Sequence, residues 1–243
     1  MRRLLATRGV DPGAAAAMIA ATRSAPRMLP AILLWFGIFA AVIYLPFSEN
    51  PPNPGRSLAK TVPLVAFALA AFSAGGPVLL ALALALSALG DFALSRPGPR
   101  AFTGGMAAFA VAHLFYTVLF TMMSGRAPYM AFVDHTLLAL FLAWVAASVE
   151  IWLVPHVGKT LKWPVRVYVL VITLMVLAAL TLPLGAIAIG AVWFVASDVI
   201  LAYRDFRMGP DDPLAGRAGW LLWCLYIAGQ AMILVGVITY LSA

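Results

Sequence analysis

Apolar runs of about twenty residues recur along this chain, and they dictate most of what it can become. Such a run is long enough to cross the hydrocarbon core of a bilayer as a helix. Inside lipid, only a helix or a closed barrel satisfies every backbone N–H and C=O. Eight runs are legible, at 29–47, 58–74, 77–95, 102–123, 132–154, 164–183, 185–203 and 218–241. Short connections rich in Pro and Gly separate them, such as the SENPPNPGR stretch at 48–56 and SRPGPR at 95–100. Those residues end helices. With 64% of residues hydrophobic and only 10% charged, the chain lies far from soluble domains, where roughly a quarter are charged. The expectation is an all-α integral membrane protein of eight transmembrane helices over residues 28–243. Residues 1–27 form a basic N-terminal tail, disordered or lying as a surface helix.

The net charge of +7 does not point to nucleic acid, because Lys and Arg lie in the loops, where they orient a membrane protein. Loops after the odd-numbered runs hold Arg56, Lys60, Arg96, Arg100, Lys159, Lys162, Arg166, Arg204, Arg207 and Arg217. On the opposite side only Arg23, Arg27 and Arg126 lie close to a run. The positive-inside rule then puts the odd-numbered loops in the cytoplasm. The lone cysteine, Cys224, has no partner for an internal disulfide.

Two carboxylates interrupt the runs. Asp91 falls in LALALALSALGDFAL and Asp198 in GAIAIGAVWFVASDVIL. A charged Asp inside hydrocarbon costs at least a few kcal/mol, so an intramembrane carboxylate is a functional hypothesis by default. Asp91 lies five residues before Arg96 and Asp198 six before Arg204. At 1.5 Å per residue, both sit roughly 7–9 Å below the same membrane face. Each is preceded closely by Ser, at Ser87 and Ser197, and each occurs late in the third run of its half of the chain. Two four-helix halves related by an axis along the membrane normal are compatible with that placement. The two acids are then expected to face each other and share one proton.

The fourth run presents Phe102, Gly105, Phe109, His113, Tyr116 and Phe120 on one helical face. The last offers Tyr226 and Gln230 one turn apart, and Lys60 opens the second on the side of both aspartates. Each has a plainer reading. His113 fits a hydrogen-bonded packing residue, Tyr116, Tyr226 and Gln230 fit helix bracing, and Lys60 fits an interfacial anchor. Gly90 and Gly190 permit close helix approach, and Gly-rich faces also permit a homo-oligomer. No HExxH or ligand-dense metal cluster, Gly-rich phosphate loop or GxSxG elbow occurs, so neither a metal nor an organic cofactor is expected.

Taken in order, these residues resemble the YhhN family of membrane proteins, whose animal members include lysoplasmalogenases. The resemblance runs over about residues 56–236. It rests on Lys60, Ser87-x-x-Gly90-Asp91-x-x-Leu94 and the stripe from Phe102 through His113 and Tyr116 to Phe120. Tyr168, Met175, Phe194-x-x-Ser197-Asp198-x-x-Leu201-Ala202, Phe206 and Tyr226-x-x-x-Gln230 complete it. One departure is Lys60-Thr-Val-Pro63, where the family more often follows Lys directly with Pro.

The resemblance implies a membrane hydrolase that cleaves the alkenyl ether of lysoplasmalogens, releasing fatty aldehyde and glycerophospho-ethanolamine or -choline. It implies catalysis by Asp91 and Asp198 as an acid–base pair, the division of labour that glycosidases make with paired carboxylates. The more apolar setting of Asp91 favours it as the acid. Lys60 with loop arginines would hold the lipid phosphate. Ser87, His113, Tyr116, Ser197, Tyr226 and Gln230 would contact or orient substrate. The expected partners are a lysophospholipid and membrane lipids, and the expected place is the inner (plasma) membrane of a bacterium. The competing reading is non-enzymatic: a lipid-binding or proton-coupled transport protein using the same two aspartates.

Overall fold

A computed structural model describes residues 28–209 and 212–243, and the expected basic tail at 1–27 lies outside the described residues. Eight long helices follow in order: α1 (Met28–Tyr44), α2 (Pro54–Ser73), α3 (Val78–Leu94), α4 (Pro99–Ser124), α5 (Thr136–Trp152), α6 (Lys162–Ala179), α7 (Ala186–Arg207) and α8 (Ala215–Ser242). Among the described residues there is no strand. Seven helical segments are long and apolar enough to cross a membrane, and α3, with 17 residues, is apolar but one turn shorter than most. Large apolar side chains such as Trp35, Phe72, Leu137, Phe141 and Trp144 stand exposed on the outside of the bundle. In water that belt would exceed any ordinary apolar patch; in lipid it is the natural outer surface. The chain is a multi-pass membrane protein.

Local chemistry sets the helix ends. Asn53 caps α2, its side chain accepting from the Arg56 N–H at 2.9 Å with Pro54 in the first turn. α4 opens with Pro99 and ends at Gly125, whose φ of 65° is a left-handed conformation that only Gly adopts readily. Several boundaries differ from the hydropathy reading, by up to four residues. The fifth span starts later, because a short helical turn at Ala131–Asp134 precedes it and Asp134 pairs with Arg126 at 2.7 Å. α7 runs on to Arg207, beyond the expected end at 203. Arg204 and Arg207 sit in its last turn, where cations complement the helix dipole.

Consecutive helices pack from α1 to α4, then α4 packs on α6, α6 on α7 and α7 on α8. α8 also touches α1 and α2, so these seven helices close a ring, while α5 stands against α6 outside it. Both halves thus keep the same helix order, but α1 belongs to the ring and α5 does not. The tightest seam is α7 against α8. A Cβ on Gly190 would lie 2.6 Å from the Gly229 carbonyl oxygen, and one on Gly229 would lie 2.8 Å from that of Gly190. Only paired glycines allow the two backbones to touch there, the small-residue packing expected in lipid.

Candidate active site

Asp91 is 2% exposed, near the end of α3. Tyr226 of α8 donates its hydroxyl to Asp91 Oδ2 at 2.7 Å, and Lys60 Nζ of α2 lies 3.5 Å from Oδ1. Three helices therefore converge on one carboxylate, which offsets the cost of burying its charge. Beside it, Gly90 makes room for Phe109: a Cβ there would fall 2.6 Å from the phenyl ring. That ring meets Tyr226 edge-on, with centroids 5.8 Å apart, and so braces the phenol that holds Asp91.

Asp198 on α7 is held differently. Its Oδ2 accepts from the Tyr168 hydroxyl of α6 at 2.5 Å, and no Lys or Arg among the described residues forms an ion pair with it. Ser197 is buried and turns its hydroxyl back to the Phe194 carbonyl at 2.6 Å. No hydrogen bond joins the two carboxyl groups among the described residues, so the expected shared proton is replaced by a separate phenol for each acid.

Two pockets meet at this place, each with about 870 Å³ of empty space counted out to its mouth. The first is polar and lies within the ring, lined by Lys60, Asp91, Ser197, Asp198 and Tyr226 together with Tyr44, Glu49, Arg56, Arg204, Asp205 and Trp223. The second is almost wholly apolar and lies between α4, α5, α6 and α7, with Met106, Leu142, Val149, Val169, Ile172 and Val195 in its wall. Leu94, Phe102, Phe109, Asp198, Leu201 and Asp205 line both. Asp198 stands at the junction, and Asp91 faces the polar pocket.

Four expected site residues line neither pocket. Tyr116 donates to Gln230 Oε1 at 2.6 Å, and Gln230 Nε2 donates to Ser87 Oγ at 3.0 Å. This buried chain ties α4, α8 and α3 together one turn beyond Tyr226, and it braces the wall of the site. His113 is fully buried between Tyr168, at 5.5 Å between ring centroids, and Phe194, at 4.6 Å. Among the described residues neither ring nitrogen meets a hydrogen-bond partner in good geometry, though the Phe109 carbonyl lies beside it one turn earlier. It packs against the phenol that holds Asp198 rather than facing either pocket.

Conversely, no site role attached to Tyr168, Asp205, Glu49 or Trp223 from sequence. Asp205 had a legible signal: it follows Asp198 by seven residues, two turns along one helical face, once α7 is known to extend that far. Among the described residues, no group of three or more His, Cys, Asp or Glu side chains is placed to hold a metal ion.

The family model described as the YhhN family matches residues 55–237. A protein named lysoplasmalogenase from Mycobacterium bovis is 33% identical, over 84% of this chain and 79% of the relative. Lysoplasmalogenase TMEM86B of Rattus norvegicus is 33% identical over 73% of this chain and 74% of its own length. The Homo sapiens protein of that name is 30% identical over 92% of this chain and 94% of its own. No solved structure matches the chain significantly. The family match covers every helix that contributes a wall of the two pockets except α1, and this chain belongs to the YhhN family.

Proposed function

We propose that this protein is a membrane hydrolase that cleaves the alkenyl ether bond of lysoplasmalogen-type lysolipids. The names of its relatives support the reaction. The observation that carries the mechanism is Asp198 at the meeting point of a polar and an apolar pocket, with Asp91 on the polar side.

An enol ether is cleaved by protonating its β-carbon, the carbon that bears the hydrocarbon chain. The acid therefore belongs at the chain pocket, and among the described residues Asp198 stands there without an ion-paired cation to hold it ionised. Asp91, beside Lys60, is suited to remain a carboxylate and act as base. These roles reverse the order that the hydropathy of the two helices favours. In the first step Asp198 gives its proton to the β-carbon, leaving an oxocarbenium ion. Water adds to the α-carbon while Asp91 takes its proton. In the hemiacetal, the hydroxyl proton passes to Asp198, the C–O bond breaks, and Asp91 returns its proton to the departing glycerol oxygen. Both acids end as they began, and aldehyde and glycerophospho-alcohol are released. Such positioned proton transfer is typically worth about 10²–10⁴-fold. Arg56, Lys60 and Arg204 suit the lipid phosphate, and the apolar pocket suits the chain.

The test is aldehyde release by purified protein from 1-alkenyl-lysophosphatidylethanolamine in D₂O. One deuterium at the aldehyde C2 is expected. Release without solvent deuterium at that carbon, or no release at all, would contradict the proposal.

A further inference from the structure

We propose that the hydrocarbon chain of the substrate leaves the apolar pocket sideways, through the cleft between α5 and α7, so that its tail remains in the bilayer during the reaction. The protein then reads only the first carbons of the chain and accepts any tail beyond them. The inference rests on the ether-hydrolase reading for where the chain starts, and adds where it goes.

The apolar pocket is too short to hold a lipid chain along the membrane normal. The polar pocket and its charges occupy the end of the bundle that carries Lys60 and Arg204, so a chain starting at Asp198 has to run away from that end. In that direction the apolar pocket continues on α7 only to Val195, a rise of about 4.5 Å, and on α6 from Tyr168 to Thr173, a rise of about 7.5 Å. A sixteen-carbon chain reaches about 16 Å from its β-carbon, taking a main chain's span of roughly 3.5 Å per three bonds. At most about half of it fits. Straight ahead the way is shut: one turn deeper on α4 and α7, His113 and Phe194 are fully buried, with ring centroids 4.6 Å apart.

Between α5 and α7 the way is open. Among the described residues, the hydrogen bonds and ring contacts joining these two helices involve only Trp152, in the last turn of α5. Arg207 donates to its carbonyl at 2.9 Å, and Tyr203 meets its ring with centroids 6.5 Å apart. Further in, Leu142 and Val145 of α5 and Val195 and Val199 of α7 line the pocket and are only half-buried. Beyond them Leu138, Phe141 and Val192 are exposed at 48%, 61% and 49%, so the apolar wall continues onto the outer surface of the bundle. A tail lying there exchanges lipid for an equally apolar surface, and nothing selects what it carries.

The experiment uses saturated alkyl-ether lysophosphatidylethanolamines, which the proposed chemistry cannot cleave, bound to the protein in nanodiscs. A sixteen-carbon probe ending in pyrene should bind within about threefold of the plain one, because its bulky end sits in lipid. A closed chain site would lose about tenfold or more to overpacking, and such a loss overturns the proposal. In a second measurement, a probe with a diazirine at carbon 10 is photolysed and the attached residues are mapped by mass spectrometry. Labelling that excess plain probe suppresses should fall within 138–145 of α5 and 192–199 of α7. Suppressible labelling on other helices instead, or none in a protein that binds the plain probe, overturns the proposed exit. Because binding is read without turnover, failure of the ether-hydrolase reading appears separately, as absence of aldehyde from the alkenyl substrate.

Discussion

Asp91 and Asp198 are the same residue in similar sequence settings, and the fold gives them opposite surroundings. Asp91 sits between a lysine and a tyrosine and faces only the polar pocket. Asp198 has one tyrosine, no ion-pair partner among the described residues, and a wall in common with the apolar pocket. A pair made alike by position becomes unlike through its neighbours. That inequality is what acid–base chemistry between two carboxyl groups requires.

The largest effects should fall on the carboxyls themselves. Asp91→Asn and Asp198→Asn should each lower the rate of aldehyde release by about 10²–10⁴-fold while the protein still folds. Full turnover in either folded variant would remove that residue from the chemistry. Next come the neighbours that make the two acids different. Lys60→Met and Tyr168→Phe should each cost about 10–100-fold, the scale of one hydrogen bond to a charged group. For Tyr168→Phe the loss should lie in kcat with KM little changed, whereas Lys60→Met should also raise KM, since Lys60 lines the pocket suited to phosphate. A Tyr168→Phe enzyme changed only in KM would make that phenol part of the chain pocket and nothing more.

A smaller effect should separate the two pockets. Ala146 of α5 lines the apolar one. Ala146→Phe should reduce kcat/KM for long-chain substrates about tenfold relative to short-chain ones, as expected when a few methylenes lose their place. Equal loss at all chain lengths would place the chain elsewhere. The smallest should come from the brace behind Asp91: Gln230→Leu should lower stability by about 1 kcal/mol or less, as inter-helix hydrogen bonds in membranes do. Thermal unfolding in detergent would detect it, and a fall in aldehyde release as large as that of an Asp variant would show that Gln230 does more than brace the helices.

Much of this was legible before any coordinates. The eight helices follow from run length and from Pro and Gly between the runs, because lipid leaves the backbone no other choice. Asp91, Asp198, Lys60 and Tyr226 stand out because polar groups in apolar runs are costly. Ser87, Tyr116 and Gln230 stand out for the same reason, yet their partners are one another. Helical periodicity places a residue on a face without revealing what lies opposite. His113 shows this most sharply: a titratable ring in an aromatic stripe reads equally as a substrate contact and as a packing residue, and only the fold encloses it between Tyr168 and Phe194. Asp205 was obscured by the opposite error, since hydropathy ends α7 at 203 although the helix continues through a charged last turn.

By itself the sequence determined an all-helical chain of long apolar helices and put one aspartate in each of two of them. Those depend on local properties: hydrophobic length, rise per residue and the cost of a charge in hydrocarbon. Which acid received the lysine, which stood at the apolar pocket, and which polar residues turned away to brace the helices were decided only when seven helices closed into a ring. Those outcomes depend on contacts between residues such as Asp91 and Tyr226, far apart in the chain, and periodicity along one helix carries no information about its neighbour.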